Sequence, residues 1–379
     1  MPSAMSIPDR LRPHRSNNFD LLRLALAALV VLNHSYGLLY GPSAREPLVR
    51  LTRGQLGFGD LAVDGFFVIS GFLITASWIN TADLFRFISK RMARIYPGIA
   101  VAILFCLLVA APLGADHPIE YLRGLNPVTY LRSLAQLQIP EQNGVFSNQA
   151  YPGILNLPLW TIRYECLCYL MVAALGLAGF LKKPKVILLL FAAAWMAYGW
   201  QSLAGGLPML DWRHYPILGR MQPWPRFLAF YFAGMVFSLY RARIPLRTSY
   251  LWISAALVML SLRTGLALTL PVFGAYLLMC AAFSPVIRFP SFGKRGDFSY
   301  GTYIYACPAQ QLLIHYLQPH LTPASLFFLS LMVTLPLAAA SWHLVESPCL
   351  RLIQGIGGRS VRQRPESTES PTAPLQQQT

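Results

Sequence analysis

Long apolar runs alternate with short polar breaks along the chain, and the runs are close to membrane length. An α-helix rises 1.5 Å per residue, so crossing a hydrocarbon layer of about 30 Å takes about 20 apolar residues. Ten stretches meet or approach that length: 19–40, 61–79, 95–113, 157–180, 186–203, 225–240, 248–263, 265–285, 298–317 and 323–345. The sixth and seventh are short, and the break before the eighth rests on Arg263, Thr264 and Gly265. The expected fold is all-α, a polytopic membrane bundle of about ten transmembrane helices. The first run is too long for the apolar part of a signal peptide and no small-residue cleavage site follows it, so it reads as a retained first helix.

Composition supports this pattern. Of the 379 residues, 55% are apolar and 12% are charged, where a soluble domain carries roughly 25% charged residues. Disorder is excluded for most of the chain. Six cysteines in this length, mostly inside apolar runs, are too sparse for a disulfide scaffold.

The net charge of +16 would suggest a nucleic-acid partner in a soluble protein. Here the basic residues cluster between apolar runs, where they set topology, and no nucleic-acid partner is expected. With both termini in the cytoplasm, alternation puts 20 of the basic residues inside and nine outside, with Arg23 and Arg163 within spans. That bias fits ten helices with both termini cytoplasmic. The expected organisation is a cytoplasmic N-terminal segment 1–18, an integral-membrane domain 19–346, and a tail 347–379. The tail ends in RQRPESTESPTAPLQQQT, without an apolar face, and reads as disordered. The outside loops 114–156 and 204–224 are long enough to form a substrate mouth; Trp212, Arg213, His214 and Trp224 fit a saccharide there or interfacial anchoring equally well.

Ionisable residues inside spans mark function by default. Arg23 and His34 lie eleven residues apart in FDLLRLALAALVVLNHSYG, which returns them to nearly one helix face, about 16 Å apart along the axis. Asn33 is expected to point elsewhere. The plainer readings are a snorkelling Arg23 and a packing histidine. Arg91 and Arg94 in KRMARIYPG stand at i, i+3, either as a phosphate clamp or as a positive-inside anchor. Glu165 in NLPLWTIRYECLCYL is a buried carboxylate in need of a partner. It either orients His34, pairs with Arg163, or is a protonated acid at a helix contact.

Cys166 and Cys168 read as packing, and no metal is expected. Ser70 in DGFFVISGFLIT has no GxSxG setting and no adjacent base, so helix packing is favoured over nucleophilic attack. Tyr300, Tyr303, Gln310 and Gln311 bring polar groups into a span, as interhelical hydrogen bonds or as site residues. His343 and Glu346 near the end of the last run read as partners for the basic loops.

Taken together these pieces resemble the acyltransferase family 3 membrane proteins, which acylate sugars on extracytoplasmic glycans and lipid-linked saccharides. The matching pieces are Arg23 with His34, DGFFVISGFLIT, the Arg91–Arg94 pair, LPLWTIRYE with Glu165, SYGTYIY, and VESP, in the family's order across 17–348. The resemblance implies an acyltransferase carrying out O-acetylation of a polysaccharide, such as lipopolysaccharide or exopolysaccharide. Its donor would be acyl-CoA, with acetyl-CoA expected, docking from the cytoplasm. Its acceptor would be a hydroxyl of an extracytoplasmic glycan or lipid-linked saccharide. Arg23, Arg91 and Arg94 would hold the donor phosphates, and His34 would be the general base or carry the acyl group, with Glu165 as second catalytic residue. Ser70, Trp160, Tyr300 and Tyr303 would bind substrate or pack near the site. Ala306 stands where some family members have a histidine, so no second histidine role is assigned.

The expected partners are the lipid bilayer and the saccharide acceptor, and the expected location is a bacterial inner membrane. The sequence carries no sign of an oligomeric state. The rival readings are a non-catalytic transporter of saccharide or lipid, for which no internal repeat is visible, and a structural membrane protein, which leaves the cost of His34 and Glu165 unexplained.

Overall fold

The computed structural model describes residues 17–42, 46–81, 83–204, 214–215, 217–284 and 296–359. The fold is 77% helical. The chain opens with α1 (Phe19–Tyr40), short α2 (Pro47–Leu51), α3 (Phe58–Thr81) and α4 (Leu84–Gly114). Two short helices, α5 (Pro118–Arg123) and α6 (Pro127–Gln136), precede α7 (Leu157–Leu177) and α8 (Pro184–Leu203). Then come α9 (Trp224–Leu239), α10 (Thr248–Leu260), α11 (Leu266–Ala282), α12 (Ser299–Leu317) and α13 (Pro323–Ile353). The strand pair 214–215 with 219–220 is antiparallel.

Each of the ten apolar stretches is helical. Six helices (α1, α3, α4, α7, α8 and α13) are long and apolar enough to cross a membrane. The other four fall short by length or by polarity, α12 because it carries tyrosines and glutamines. The last part of α13 belongs to the helical segment Ser347–Arg359. Residues 360–379 and the N-terminal arginines lie outside the described residues.

Local sequence explains the ends and bends. Asp83 caps α4 by accepting from the Arg86 N–H at 2.6 Å, and Thr322 opens α13 in a capping box with Ser325. One-turn π bulges interrupt α4 at Cys106–Ala110, α11 at Leu270–Gly274 and α13 at Trp342–Glu346. Such bulges re-aim the side chains that follow, and the last one presents Trp342 and Glu346 to the bundle interior.

Burial sorts the helices into layers. α3 is the most buried, and α8 and α13 the most exposed, of the six membrane-length helices. The exposed positions on α8 and α13 are Leu188, Leu189, Met196, Trp200, Phe328 and Met332, as expected for a face that meets lipid rather than water. α3 packs tightly against α9 at Gly71 and Gly234. A methyl group added at Gly71 would strike the Tyr231 carbonyl, and one at Gly234 the Val68 carbonyl. Small residues allow this backbone-to-backbone approach, which drives helix association where water supplies no hydrophobic force. Phe67 stacks on Phe227 beside it at 4.4 Å between centroids. The stretch 114–156, expected as an open loop, is folded back on the bundle. Its α6 end is anchored by Arg163, which donates to the Gln136 carbonyl at 3.0 and 2.6 Å.

Candidate active site

Three polar layers follow one another through the bundle. The first is a cavity of about 700 Å³ lined by Asn33, His34, Asp60, Trp160, Tyr303 and Arg226, among others. It sits near the far end of α1, where the eleven-residue spacing from Arg23 places His34. His34 is 8% exposed, its Nδ1 is buried, and neither ring nitrogen has a hydrogen bond among the described residues. Asn33, expected to point elsewhere, lines the same cavity, because neighbours about 100° apart on a helix both border an opening at its corner. Gln55, Gln201 and Gln222 add amides to the wall. Trp160 packs on Tyr164 and Phe227 and keeps an exposed edge in the cavity. Tyr303 is fixed by the Pro158 carbonyl at 2.9 Å and the Thr161 hydroxyl at 2.5 Å.

A bidentate ion pair borders the cavity. Arg226 on α9 donates from Nε to Asp64 Oδ1 at 2.8 Å and from Nη2 to Asp64 Oδ2 at 3.0 Å, while Nη1 reaches Asp60 at 2.6 Å. Planar fork-to-carboxylate pairing is the geometry in which arginine is strongest. It ties α3 to α9 a few residues from where their backbones touch. Sequence reasoning missed this trio, although Asp64 is an acid within an apolar run, the same signal that singled out Glu165.

The middle layer is Glu165. It accepts from the Ser70 hydroxyl at 2.5 Å and from the Tyr169 hydroxyl at 2.5 Å. The expected contact with His34 is not formed, because both of these hydrogen bonds go to α3 and to the next turn of α7. The alternative pair with Arg163 is also not formed, since Arg163 is occupied by Gln136. Ser70 is therefore the hydrogen-bond partner of a half-buried carboxylate across the α3–α7 contact.

The third layer is a charge cluster formed near the start of α1 and α12, midway along α4 and at the π bulge of α13. Arg94 pairs closely with Asp297 and, at 3.4 Å, with Glu346, whose side chain is fully buried. Arg23 reaches Asp297 at 3.4 Å and Asp20 at 3.8 Å. Tyr300 and Trp342 flank the Arg94 guanidinium at 5.7 and 5.4 Å. The Tyr300 hydroxyl donates to the Ile95 carbonyl at 2.7 Å. Ser341 donates to Glu346 at 3.0 Å. Asp297 accepts from the N–H of Ser299, the first residue of α12, at 3.1 Å. Burial opposes the Asp297 charge, but Arg94, Arg23 and the Ser299 hydrogen bonds outweigh it and hold the carboxyl below the ordinary range.

Arg91 and Arg94, read as one clamp, have different surroundings. Arg94 has both Nη arms on carboxylates. Arg91 has no ion pair among the described residues, its Nε is buried without an acceptor, and its guanidinium lies 6.0 Å over Phe87. Asp297 is the partner that the sequence left unassigned; it is recognisable as a carboxylate two residues before a helix that opens Ser–Tyr–Gly. Of the outer-loop residues, Trp212 and Arg213 and the side chain of His214 lie outside the described residues, and Trp224 donates to the Leu218 carbonyl at 3.1 Å.

The sequence profile of the acyltransferase domain matches residues 16–343, which takes in the cavity, the Glu165 layer and nearly all of the charge cluster. The chain belongs to acyltransferase family 3. This acyltransferase is 30% identical over 340 residues to the O-acetyl transferase of Shigella phage Sf6, covering 88% of the chain and 96% of the relative. It is 28% identical over 388 residues to Nodulation protein 10 of Rhizobium leguminosarum bv. viciae, covering 92% of the chain and 96% of the relative. No solved structure matches it. It is an integral-membrane acyltransferase, and the family and the relative named O-acetyl transferase support O-acetylation in general.

Proposed function

We propose that this enzyme moves an acetyl group from cytoplasmic acetyl-CoA to a hydroxyl of an extracytoplasmic glycan or lipid-linked saccharide, in a bacterial cytoplasmic membrane. In this reading all ten apolar helices cross the bilayer and both termini are cytoplasmic, as the distribution of basic residues suggests. The His34 cavity then opens to the acceptor side and the charge cluster to the donor side. The observation that carries the reading is His34: an imidazole lining a cavity large enough for a sugar unit, its Nδ1 buried and neither ring nitrogen hydrogen-bonded among the described residues.

The steps follow from that placement. His34 takes the proton from the acceptor hydroxyl, and the oxygen attacks the thioester carbonyl. The carbon–sulfur bond then breaks, and the leaving thiolate recovers the proton from the imidazolium. Imidazole titrates near neutrality and is the natural base for a weakly nucleophilic hydroxyl. Glu165, held by Ser70 and Tyr169, supplies negative charge that steadies the imidazolium through space rather than by contact. Such a charge acts strongly in a dry interior. At the donor end Arg91, which forms no ion pair among the described residues, is a cation available to a phosphate. Arg94 and Arg23 shape that end while they engage Asp297 and Glu346. Trp160 and the cavity amides fit the flat faces and hydroxyls of a saccharide, and Tyr303 and Tyr300 hold α12 against the two ends of the path.

The test is glycan acetylation in membranes of a deletion strain complemented with wild type or His34→Ala at matched protein levels. Loss of O-acetyl groups, with the glycan still reaching the surface, is the expected result. Persistence of acetylation sinks the role of His34, and failure of the glycan itself to reach the surface favours a transporter.

A further inference from the structure

A second cavity, of about 330 Å³, lies among α8, α9, α10 and α11, away from His34. Its walls include Phe191, Val236, Phe237, Ile253 and Tyr276, with Ser254 as a small polar exception. Tyr250 and Ile253 are exposed, so the cavity is open along α10. The π bulge at Leu270–Gly274 supplies one wall through Pro271, Val272 and Phe273.

One end of this cavity is closed by the loop that carries Arg241, Arg243 and Arg247. Tyr276, a wall residue, donates its hydroxyl to the Pro245 carbonyl at 2.8 Å and accepts from the Arg247 N–H at 3.1 Å. The Arg247 guanidinium lies 5.8 Å over the ring of Tyr250, another wall residue. Arg243 lies 5.9 Å over Tyr240. Arg243 and Arg247 are exposed, and among the described residues neither forms an ion pair. A hydrocarbon-lined groove thus ends at two uncompensated cations.

We propose that this groove is an anionic-phospholipid site, with one acyl chain filling the cavity and the phosphate headgroup resting on Arg243 and Arg247. A groove open to the bilayer takes up hydrocarbon, which any lipid supplies. A zwitterionic lipid brings no net charge to the two guanidiniums, whereas an anionic one neutralises them, and each basic residue near an anionic headgroup strengthens binding. The Tyr276 tether holds the loop backbone at Pro245 and Arg247, the Tyr250 stack holds the Arg247 guanidinium at the groove's end, and Arg243, four residues before it, lies over Tyr240. That fixed geometry separates a site from the general attraction of a basic loop for the membrane surface.

The test uses the full chain reconstituted in bilayers of equal phosphatidylglycerol and phosphatidylcholine. The protein is re-extracted in mild detergent, and the retained phospholipid is counted by mass spectrometry. The expected result is enrichment of phosphatidylglycerol by about tenfold or more. Enrichment should vanish in Arg243→Gln/Arg247→Gln while total retained lipid persists. In Ser254→Phe, which fills the cavity, retention of both lipids should fall. Equal retention of the two lipids by the wild type would mean an ordinary annular shell and overturns the site, as does undiminished enrichment in the arginine pair variant. The arginine pair is on the surface, so this arm decides even if Ser254→Phe folds poorly.

Discussion

The charge cluster and the His34 cavity are the two outer layers of one polar path, with Glu165 between them, yet they are finished in opposite ways. At the cluster, Arg94 is satisfied by two carboxylates and two aromatic faces, and Asp297 serves two arginines and a helix N-terminus at once. At the cavity, a buried imidazole is left with no hydrogen-bond partner among the described residues although Asp60, Asp64 and several amides line or border the same space. The acids nearby are committed to Arg226, and Glu165 to Ser70 and Tyr169. Saturation marks a place that holds helices together. An unsatisfied group among satisfied ones marks a place kept for something that comes and goes. The same contrast separates Arg94 from Arg91 within three residues of one helix.

The widest break in this comparison comes from His34. His34→Ala should reduce acetyl transfer by about 100-fold or more, the scale of a lost general base, with little change in the melting temperature of the detergent-purified protein. Next is Arg94. Removing it leaves Glu346 and Asp297 without their cation, so Arg94→Ala should cost about 3–5 kcal/mol of stability, read as a large drop in melting temperature. Glu346→Gln in that background should restore part of it. Arg91→Ala should leave the melting temperature nearly unchanged and raise the KM for the acyl donor; a stability loss like that of Arg94→Ala would erase the distinction.

A smaller effect is expected at the cavity rim, where Arg226→Lys keeps the charge but loses the fork. A loss of about 1–2 kcal/mol is expected, the scale of a charge-assisted hydrogen bond, with weaker acceptor binding and donor binding unaffected. The smallest is a pH effect. Asp297 has a lowered carboxyl pKa in the folded state. Its contribution is therefore full above the ordinary aspartate value of about 4 and is lost as the pH falls through the lowered folded value. Asp297→Asn should flatten the acid limb of a stability–pH curve.

The helices were legible because membrane length and apolar runs are one-dimensional signals; every apolar stretch became a helix. The interior fold of 114–156 was not, because α5 and α6 carry no long apolar face and gain their place from Arg163 and the Gln136 carbonyl. At the site, residue types were legible and pairings were not. Arg23, His34, Arg91, Arg94 and Glu165 stand out because ionisable groups in apolar runs are rare. Which acid meets which base depends on helix rotation and on the π bulge at Trp342–Glu346, neither of which has a periodic signature. Glu165 was matched to His34 by depth alone; Ser70, one helix away, holds it instead. Asp64 was hidden by its arginine, which lies far along the chain.

The Gly71–Gly234 contact has a mechanical consequence. Where two backbones touch without side chains between them, neither helix can slide or roll past the other. α3 carries Asp64 at the cavity and Ser70 at Glu165, so both layers ride on a strut that does not move. A rocking cycle of the kind that carries cargo through a membrane would have to shear that joint. On the proposed reading this strut is a fixed side of the path between donor and acceptor, and it is the reactants that travel. In the proposed reading turnover then follows how often a thioester reaching through the bundle meets a free hydroxyl at His34.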